Sequence, residues 1–405
     1  MYDLLQVRRQ FPALEVQVNG QPAGYFDGPG GTQAPEAVIE AQQRYFSQQN
    51  SNRGGAYLTS KRTDEVVRKG RSDMAAFLGA DPEEIAFGAN MTTLTFRLSR
   101  ALARQLEPGD EILITDLDHE ANRDPWLALR QQGIKVKTVR INKETCTLDM
   151  DDFREKLTSK TRIAAVGYAS NAVGTINDLV TIRKLTDEVG ATMVVDAVHY
   201  VPHKPVDVHE LGCDYLLCSA YKFFGPHVGV LYGRKEAFSK LQTYRVRPQK
   251  PEMPYKMETG TANFEGIAGT SAAVHFIASL SPMDEAEALR EQILKGMRNL
   301  DAHETELAGL FRRELQNIKG VQIYNSPEKH PQTPTIALTK DGVSPREMAA
   351  HLGDLGLFVW DGHFYALTLI EKLGLFDSGG VVRVGMAPYN SKEEVHRLLE
   401  GIESA

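Results

Sequence analysis

The chain has 405 residues, 42% of them hydrophobic and 24% charged, with a formal net charge of -7 at neutral pH. That length exceeds what one hydrophobic core usually serves, so two domains are expected, and the scattered basic residues leave no electrostatic footprint for a nucleic-acid backbone. No apolar run approaches the roughly 20 residues that cross a bilayer, and Asp3, Arg8 and Arg9 stand where a secretion signal is apolar, so a soluble cytoplasmic protein is expected.

Between residues 60 and 235 short apolar runs alternate with longer amphipathic ones, the pattern of a mostly parallel sheet covered by helices. Strands are expected at Glu84–Phe87, Glu111–Thr115, Val136–Ile141, Ile163–Tyr168, Thr192–Asp196, Tyr215–Cys218 and Val228–Tyr232, each rich in Val, Ile, Leu or Tyr. Helices are expected at Thr92–Gln105, Pro125–Gln132 and Leu179–Val189, where apolar residues recur at three- and four-residue steps. Thr243–Gly260 has no clear period and reads as a loop, and Ser281–Ile318 reads as strongly helical. The last portion changes style, with strands expected at Val321–Tyr324, Thr335–Thr339, Leu357–Trp360 and Val381–Gly385 and helices at Pro345–Leu352 and Lys392–Glu400. The expected division is a large domain over residues 20–290 and a smaller α+β domain from residues 1–19 and 291–405.

In open parallel sheets ligands collect beyond the carboxyl ends of the strands, so polar residues that follow apolar runs carry the chemistry. Met193, Val194 and Val195 lead into Asp196, and Leu216, Leu217 and Cys218 lead into Ser219, Ala220, Tyr221 and Lys222, followed by Phe223 and Phe224. A lysine among aromatic side chains is poorly hydrated, and desolvation lowers its pKa toward the neutral, nucleophilic amine that forms Schiff bases. Taken alone, Lys222 reads as a snorkelling side chain at a strand end, and Asp196 equally as a helix N-cap. Together they supply what pyridoxal 5'-phosphate requires, a Schiff-base amine and an acidic partner for the pyridine nitrogen. An opposite charge about 4 Å away, at an effective dielectric near 20, is worth roughly 4 kcal/mol, enough to keep that nitrogen protonated.

With these motifs, Ser-Ala-Tyr-Lys-Phe-Phe-Gly-Pro around Lys222 and Val-Asp-Ala-Val-His around Asp196, the chain resembles the class V aminotransferases, the fold-type I group that includes the cysteine desulfurases and their desulfurase-like relatives. The resemblance covers nearly the whole length and implies the α/β fold of the type I pyridoxal-phosphate-dependent transferases. That fold has a large domain built on a mostly parallel seven-stranded sheet and a smaller C-terminal α+β domain. It further implies that Lys222 carries the cofactor and Asp196 meets its ring nitrogen. It implies that His119, in Asp-His-Glu-Ala-Asn, stacks on the ring and takes part in proton transfer, that Asn171 approaches the phenolic oxygen and the substrate carboxylate, and that His199 approaches the phenolic oxygen. A glutamine is usual at the position of His199. The cofactor's phosphate is expected against the turn at Asn90, Met91, Thr92 and Thr93, where a helix opening offers backbone amides and a positive dipole end, with Thr92 and Ser219 as hydroxyl donors. Tyr221 stands where a histidine is more usual. Glu258-Thr-Gly-Thr261 resembles the segment that relatives insert into a partner subunit's phosphate site, which implies a homodimer. Arg383, in Val-Val-Arg-Val-Gly-Met-Ala-Pro, matches the arginine that grips the substrate α-carboxylate, and its planar fork suits that task.

A desulfurase takes sulfur onto a cysteine in a loop of the small domain, and here that segment reads Val359-Trp-Asp-Gly-His-Phe-Tyr-Ala366. Tyr365 stands in the nucleophile's place and Trp360 replaces an arginine. Cys146, Cys213 and Cys218 form no disulfide framework and no zinc spacing, and none lies beyond residue 218. The expectation is a β-eliminating lyase acting on an amino acid, with Lys222 as base and Trp360 and Tyr365 lining the substrate pocket. Transamination and epimerisation come next. A catalytically silent binding protein is set against the joint presence of His119, Asn171, Asp196, Lys222 and Arg383. A dinucleotide-binding dehydrogenase is disfavoured because neither Gly-x-Gly-x-x-Gly nor a phosphate-binding Gly-Lys-Ser/Thr loop follows any expected strand.

Overall fold

The computed structural model describes residues 2–282 and 286–405. Its centre is a sheet of seven strands: β1 (Ile85–Gly88), β2 (Glu111–Thr115), β3 (Lys135–Val139), β4 (Thr161–Gly167), β5 (Thr192–Asp196), β6 (Tyr215–Ser219) and β7 (Gly229–Gly233). The spatial order is β1-β7-β6-β5-β4-β2-β3. β7 runs antiparallel to both its neighbours, so the other six point the same way. Helices on both faces bury such a sheet, which is why β2, β6 and β7 are buried at every residue and carry near-continuous apolar sequence.

One expected strand is broken. Val136–Ile141 stops at Val139, and Ile141–Asn142 pairs instead with Thr147–Leu148. The backbone of Arg140 is diverted: its N–H donates to the Asp152 carboxylate at 2.7 Å and its carbonyl accepts from Asp149 N–H at 2.9 Å.

Helices α1 (Glu36–Gln48) and α2 (Leu58–Leu78) precede the sheet, α3 (Met91–Ala103) follows β1, and α4 (Phe264–Ser279) lies against α1 and α2. The sequence reading left α1, α2 and α4 unassigned. α4 shows why, because it is apolar on nearly every side and a helix buried all round has no amphipathic period to read.

The expected helix Ser281–Ile318 is realised as α5 (Leu289–Leu315), while residues 283–285 of that stretch lie outside the described residues. α5 serves two cores. Ile293, Met297 and Leu300 join the cluster under the large sheet, and Leu307, Phe311 and Leu315 join a second cluster under a four-stranded antiparallel sheet. That smaller sheet is ordered β8 (Val321–Tyr324), β9 (Thr335–Lys340), β11 (Val381–Gly385), β10 (Trp360–Gly362). The expected strand Leu357–Trp360 is divided at Val359, with Leu357–Phe358 pairing with Gly24–Tyr25 and the chain then crossing to β11.

Where α5 meets α4 the fit is tight: a Cβ at Gly296 would lie 1.9 Å from the carbonyl oxygen of Ile277. Since backbone cannot yield as a flexible side chain does, Gly296→Ala is expected to destabilise the fold by about 1–3 kcal/mol, read as a lower denaturation midpoint. A variant as stable as the parent would show that the two helices can separate without loss.

Candidate active site

The carboxyl ends of the parallel strands converge on one cluster. β5 ends at Asp196, β6 at Ser219 with Lys222 on the turn beyond, β2 leads into His119, and β4 leads into Asn171. From the smaller sheet β11 adds Arg383, only 4% exposed. Lys222 Nζ donates to the carbonyl oxygens of Pro29 at 2.5 Å and Gly30 at 2.9 Å and lies 4.9 Å from the Tyr221 ring centroid. Burial lowers its pKa to about 7, with the Arg383 charge adding to the shift and Asp196 and Asp27 opposing it. Burial likewise raises Asp196 to about 6, against a backbone hydrogen bond from Val198 and the charge of Lys222. An amine and an acid thus share a water-poor site and favour each other's charged form.

His119 Nδ1 accepts the N–H of Ala121 at 2.9 Å, which leaves the proton of the neutral ring on Nε2. Burial, then the charges of Lys222 and Arg383, bring its pKa to about 4, so the imidazole is neutral near pH 7. Its ring stacks on Tyr365 at 5.5 Å. Asn171 joins the two sheets: its backbone carbonyl accepts from Arg383 Nη1 and its side-chain amide donates to the Phe364 carbonyl, both at 2.9 Å. The Arg383 guanidinium lies 4.0 Å from the Phe364 ring centroid.

The remaining expected residues divide. Ser219 is buried with its hydroxyl accepting from Met91 N–H at 3.0 Å, and Asn90 caps α3 by accepting from Thr93 N–H at 2.8 Å, which brings Ser219 to the start of α3, where Thr92 is exposed. His199 is buried, but its Nε2 contacts the hydroxyls of Thr335 at 2.9 Å and Thr333 at 3.2 Å. Trp360, the first residue of β10, is 51% exposed, and Tyr365, on the segment between β10 and Ala366, is 69% exposed. Thr261 is exposed and forms no hydrogen bond to this cluster among the described residues, whereas Glu258, three positions earlier, pairs with Arg71 at 2.6 Å and accepts Phe87 N–H at 2.9 Å.

Sequence reasoning missed the loop at Asp27–Thr32. It supplies the two carbonyls on Lys222, and it brings Asp27, whose carboxyl is raised by burial to about 6 against the charges of Arg383 and Lys222. The signal was there, since Asp-Gly-Pro-Gly-Gly-Thr directly follows the apolar pair Tyr25-Phe26. A Cβ at Gly30 would lie 2.6 Å from Trp360 Nε1, so a larger residue there would displace that ring. Asp27 Oδ1, Asn171 Oδ1 and Arg383 Nε are buried without hydrogen-bond partners. Unsatisfied polar atoms around a poorly solvated amine fit a site built for a polar ligand.

A family model described as Aminotransferase class-V matches residues 24–398. The chain belongs to this family. It is a pyridoxal-phosphate-dependent enzyme with the type I transferase fold. It is 34% identical to an aminotransferase-like protein of Gibberella zeae, covering 99% of this chain and 98% of that one. It is 31% identical to a probable cysteine desulfurase of Halalkalibacterium halodurans, covering 98% and 97%. Among solved structures it superposes on the apo cysteine desulfurase of Thermococcus onnurineus with a TM-score of 0.87 at 27% identity, covering 99% and 97%. Among the described residues no helix is long and apolar enough to cross a membrane.

Because Lys222 loses its proton at about pH 7, uptake of pyridoxal phosphate by the cofactor-free protein is expected to quicken as pH rises through that value, followed by visible absorbance. A rate that stays level between pH 6 and 9 would mean that the amine is not the attacking group.

Proposed function

We propose that this enzyme expels a sulfur substituent from the β-carbon of an amino acid by elimination, and does not take the sulfur onto a thiol of its own. The observation that carries this reading is the placement of sulfur in the chain. Cys146, Cys213 and Cys218 are all buried in the core, burial pushes the Cys146 thiol up to about 11, and the other two thiols are raised as well. A buried thiol with a raised pKa is a poor nucleophile. The segment between Arg383 and His119 offers Tyr365 instead.

Lys222 is the amine that would hold the cofactor, Asp196 the carboxylate on its ring nitrogen, and Ser219, Met91 and Thr92 the phosphate donors, with Tyr221 beside Lys222. When bound, the cofactor supplies an electron sink that acidifies the substrate's Cα–H. Arg383 orients the substrate by its α-carboxylate, with Asn171 holding the guanidinium in place. The proton leaves Cα for Lys222 Nζ, which is neutral above about pH 7, and the sulfur departs with the Cβ–S bonding pair. His119 carries a proton on Nε2 and can lend it to a developing negative charge. His199, engaged by Thr333 and Thr335 through Nε2, has Nδ1 left for the cofactor. Trp360 and Tyr365 line the side-chain pocket and favour a larger or thioether-bearing substrate. The active unit is a homodimer in which Thr261 reaches the partner's phosphate site.

The test is a panel of sulfur-containing and other amino acids assayed for pyruvate, sulfide or thiol, keto acid and D-enantiomer. Pyruvate released in step with thiol is the expected result. Keto acid or D-enantiomer without pyruvate would assign transamination or epimerisation, rapid sulfane sulfur from free cysteine would restore the desulfurase, and no product at all would leave a silent fold. In the same assay Arg383→Ala is expected to keep the visible band and raise KM by about tenfold to a hundredfold, the worth of a charge-assisted hydrogen-bonded pair. An unchanged KM would remove Arg383 from the carboxylate site.

A further inference from the structure

The opposite end of the large sheet, where the parallel strands begin, carries a second grouping of chemically active side chains. Asp81 and Glu84 bracket the turn before β1, and His209 lies on the short helix Val208–Leu211 before β6. Glu84 is buried and organises the cluster: one carboxylate oxygen accepts Asp81 N–H at 3.1 Å and lies 3.0 Å from His209 Nε2, and the other accepts Lys235 N–H at 2.9 Å. One ligand atom from each of Asp81, Glu84 and His209 falls within 4.8 Å of the other two. They border a cavity of about 290 Å³ that Tyr232 and Arg234 help to line.

A capping box with a neighbouring imidazole explains part of this arrangement but leaves Tyr232 unexplained. Its side chain is 0% exposed, it lines the same cavity with its ring edge-on to His209 at 6.4 Å, and its hydroxyl has no hydrogen-bond partner. A buried hydroxyl without a partner, at the edge of this cavity and under the charge of Glu84, is matched by a metal ion bearing a water molecule, because that water offers the missing partner. Of the two basic residues that border the cavity, Arg234 is paired with Asp214, which Arg183 shares, and Lys235 is exposed.

We propose that Asp81, Glu84 and His209 form a binding site for a divalent cation of the zinc class, with Tyr232 hydrogen-bonded to its coordinated water. The mixed oxygen and nitrogen donor set suits zinc better than calcium or magnesium, which prefer oxygen alone. Tetrahedral bonds of about 2.0–2.2 Å set donor atoms roughly 3.3–3.6 Å apart. That spacing lies between the 3.0 Å His209–Glu84 separation and the 4.8 Å limit of the cluster, within reach of rotation of the exposed Asp81 and His209 side chains. The ion clamps the turn before β1 to the helix before β6 and to the end of β7, far along the strands from Lys222, so it acts on stability and leaves the chemistry alone.

The experiment takes the cofactor-loaded full-length protein, strips it with a chelator, and titrates zinc chloride by calorimetry, with elemental analysis and thermal unfolding of the same samples. One zinc per chain is expected, with a rise of several degrees in Tm and an unchanged cofactor absorbance. His209→Ala removes only a half-exposed side chain, so it folds; it is expected to weaken zinc binding at least about tenfold and abolish the Tm rise. Tyr232→Phe is expected to weaken binding by a smaller factor. Absence of stoichiometric zinc in the parent protein, equal binding by His209→Ala, or preference for magnesium over zinc would each overturn the assignment.

Discussion

The amine of Lys222 is kept out of water without being left alone in the interior, and the fold around it answers to both constraints. Water would hold the ammonium protonated, while a dry apolar cavity would leave its hydrogen-bonding capacity unmet. The structure meets both demands with two backbone carbonyls, from Pro29 and Gly30, and with carboxyl groups on either side, Asp196 and Asp27. Carbonyl oxygens accept from an amine in either protonation state, so they hold Nζ in place as its charge changes.

That arrangement binds the N-terminal loop, the large sheet and the small sheet into one unit. Thr32 N–H and hydroxyl both reach the carbonyl of Tyr221, and the Phe224 N–H donates to the Thr32 hydroxyl at 2.8 Å, so the Asp27–Thr32 loop is fastened to the lysine's own turn. Asp27 also bridges to Gly385 at the end of the strand that carries Arg383. Displacing the small sheet would therefore move both Arg383 and the loop that holds the amine. Asn171 and Glu120 add to the union, the first through Arg383 and Phe364, the second by accepting the Thr368 N–H and hydroxyl at 3.1 and 3.0 Å.

How far the sequence discloses this follows from the range of each signal. Asp196 and Lys222 were legible because a polar residue at the end of an apolar strand is a local pattern, and strands such as Thr192–Asp196 and Glu111–Thr115 match their expected bounds for the same reason. The Asp27–Thr32 loop was legible only as a glycine-rich turn after an apolar pair, because its place in the site lies in contacts with residues about 190 positions later that no local window contains. Helix α4 was missed from the opposite cause, since complete burial erased its period. His199 and Thr261 could be placed only by likeness to relatives. For His199 the structure adds threonines from a distant strand, and for Thr261 an exposed position.

The segment between β10 and Ala366 is conformationally expensive. Phe364 and Tyr365 both have left-handed backbone, at φ 54° and 55°, which side chains of that size rarely adopt and which costs of order 1–3 kcal/mol apiece. Such a pair persists only where the surroundings over-determine it. Phe364 is held by its carbonyl on Asn171 and its ring beneath Arg383, and Tyr365 by its carbonyl on Glu120 N–H at 2.7 Å and its ring on His119. Every one of those partners belongs to the cluster around Lys222 or to the residue next to it. A loop that only closed off the small sheet would have no reason to keep this conformation. One that sets aromatic rings against the imidazole and the guanidinium shapes the space beside His119 and Arg383.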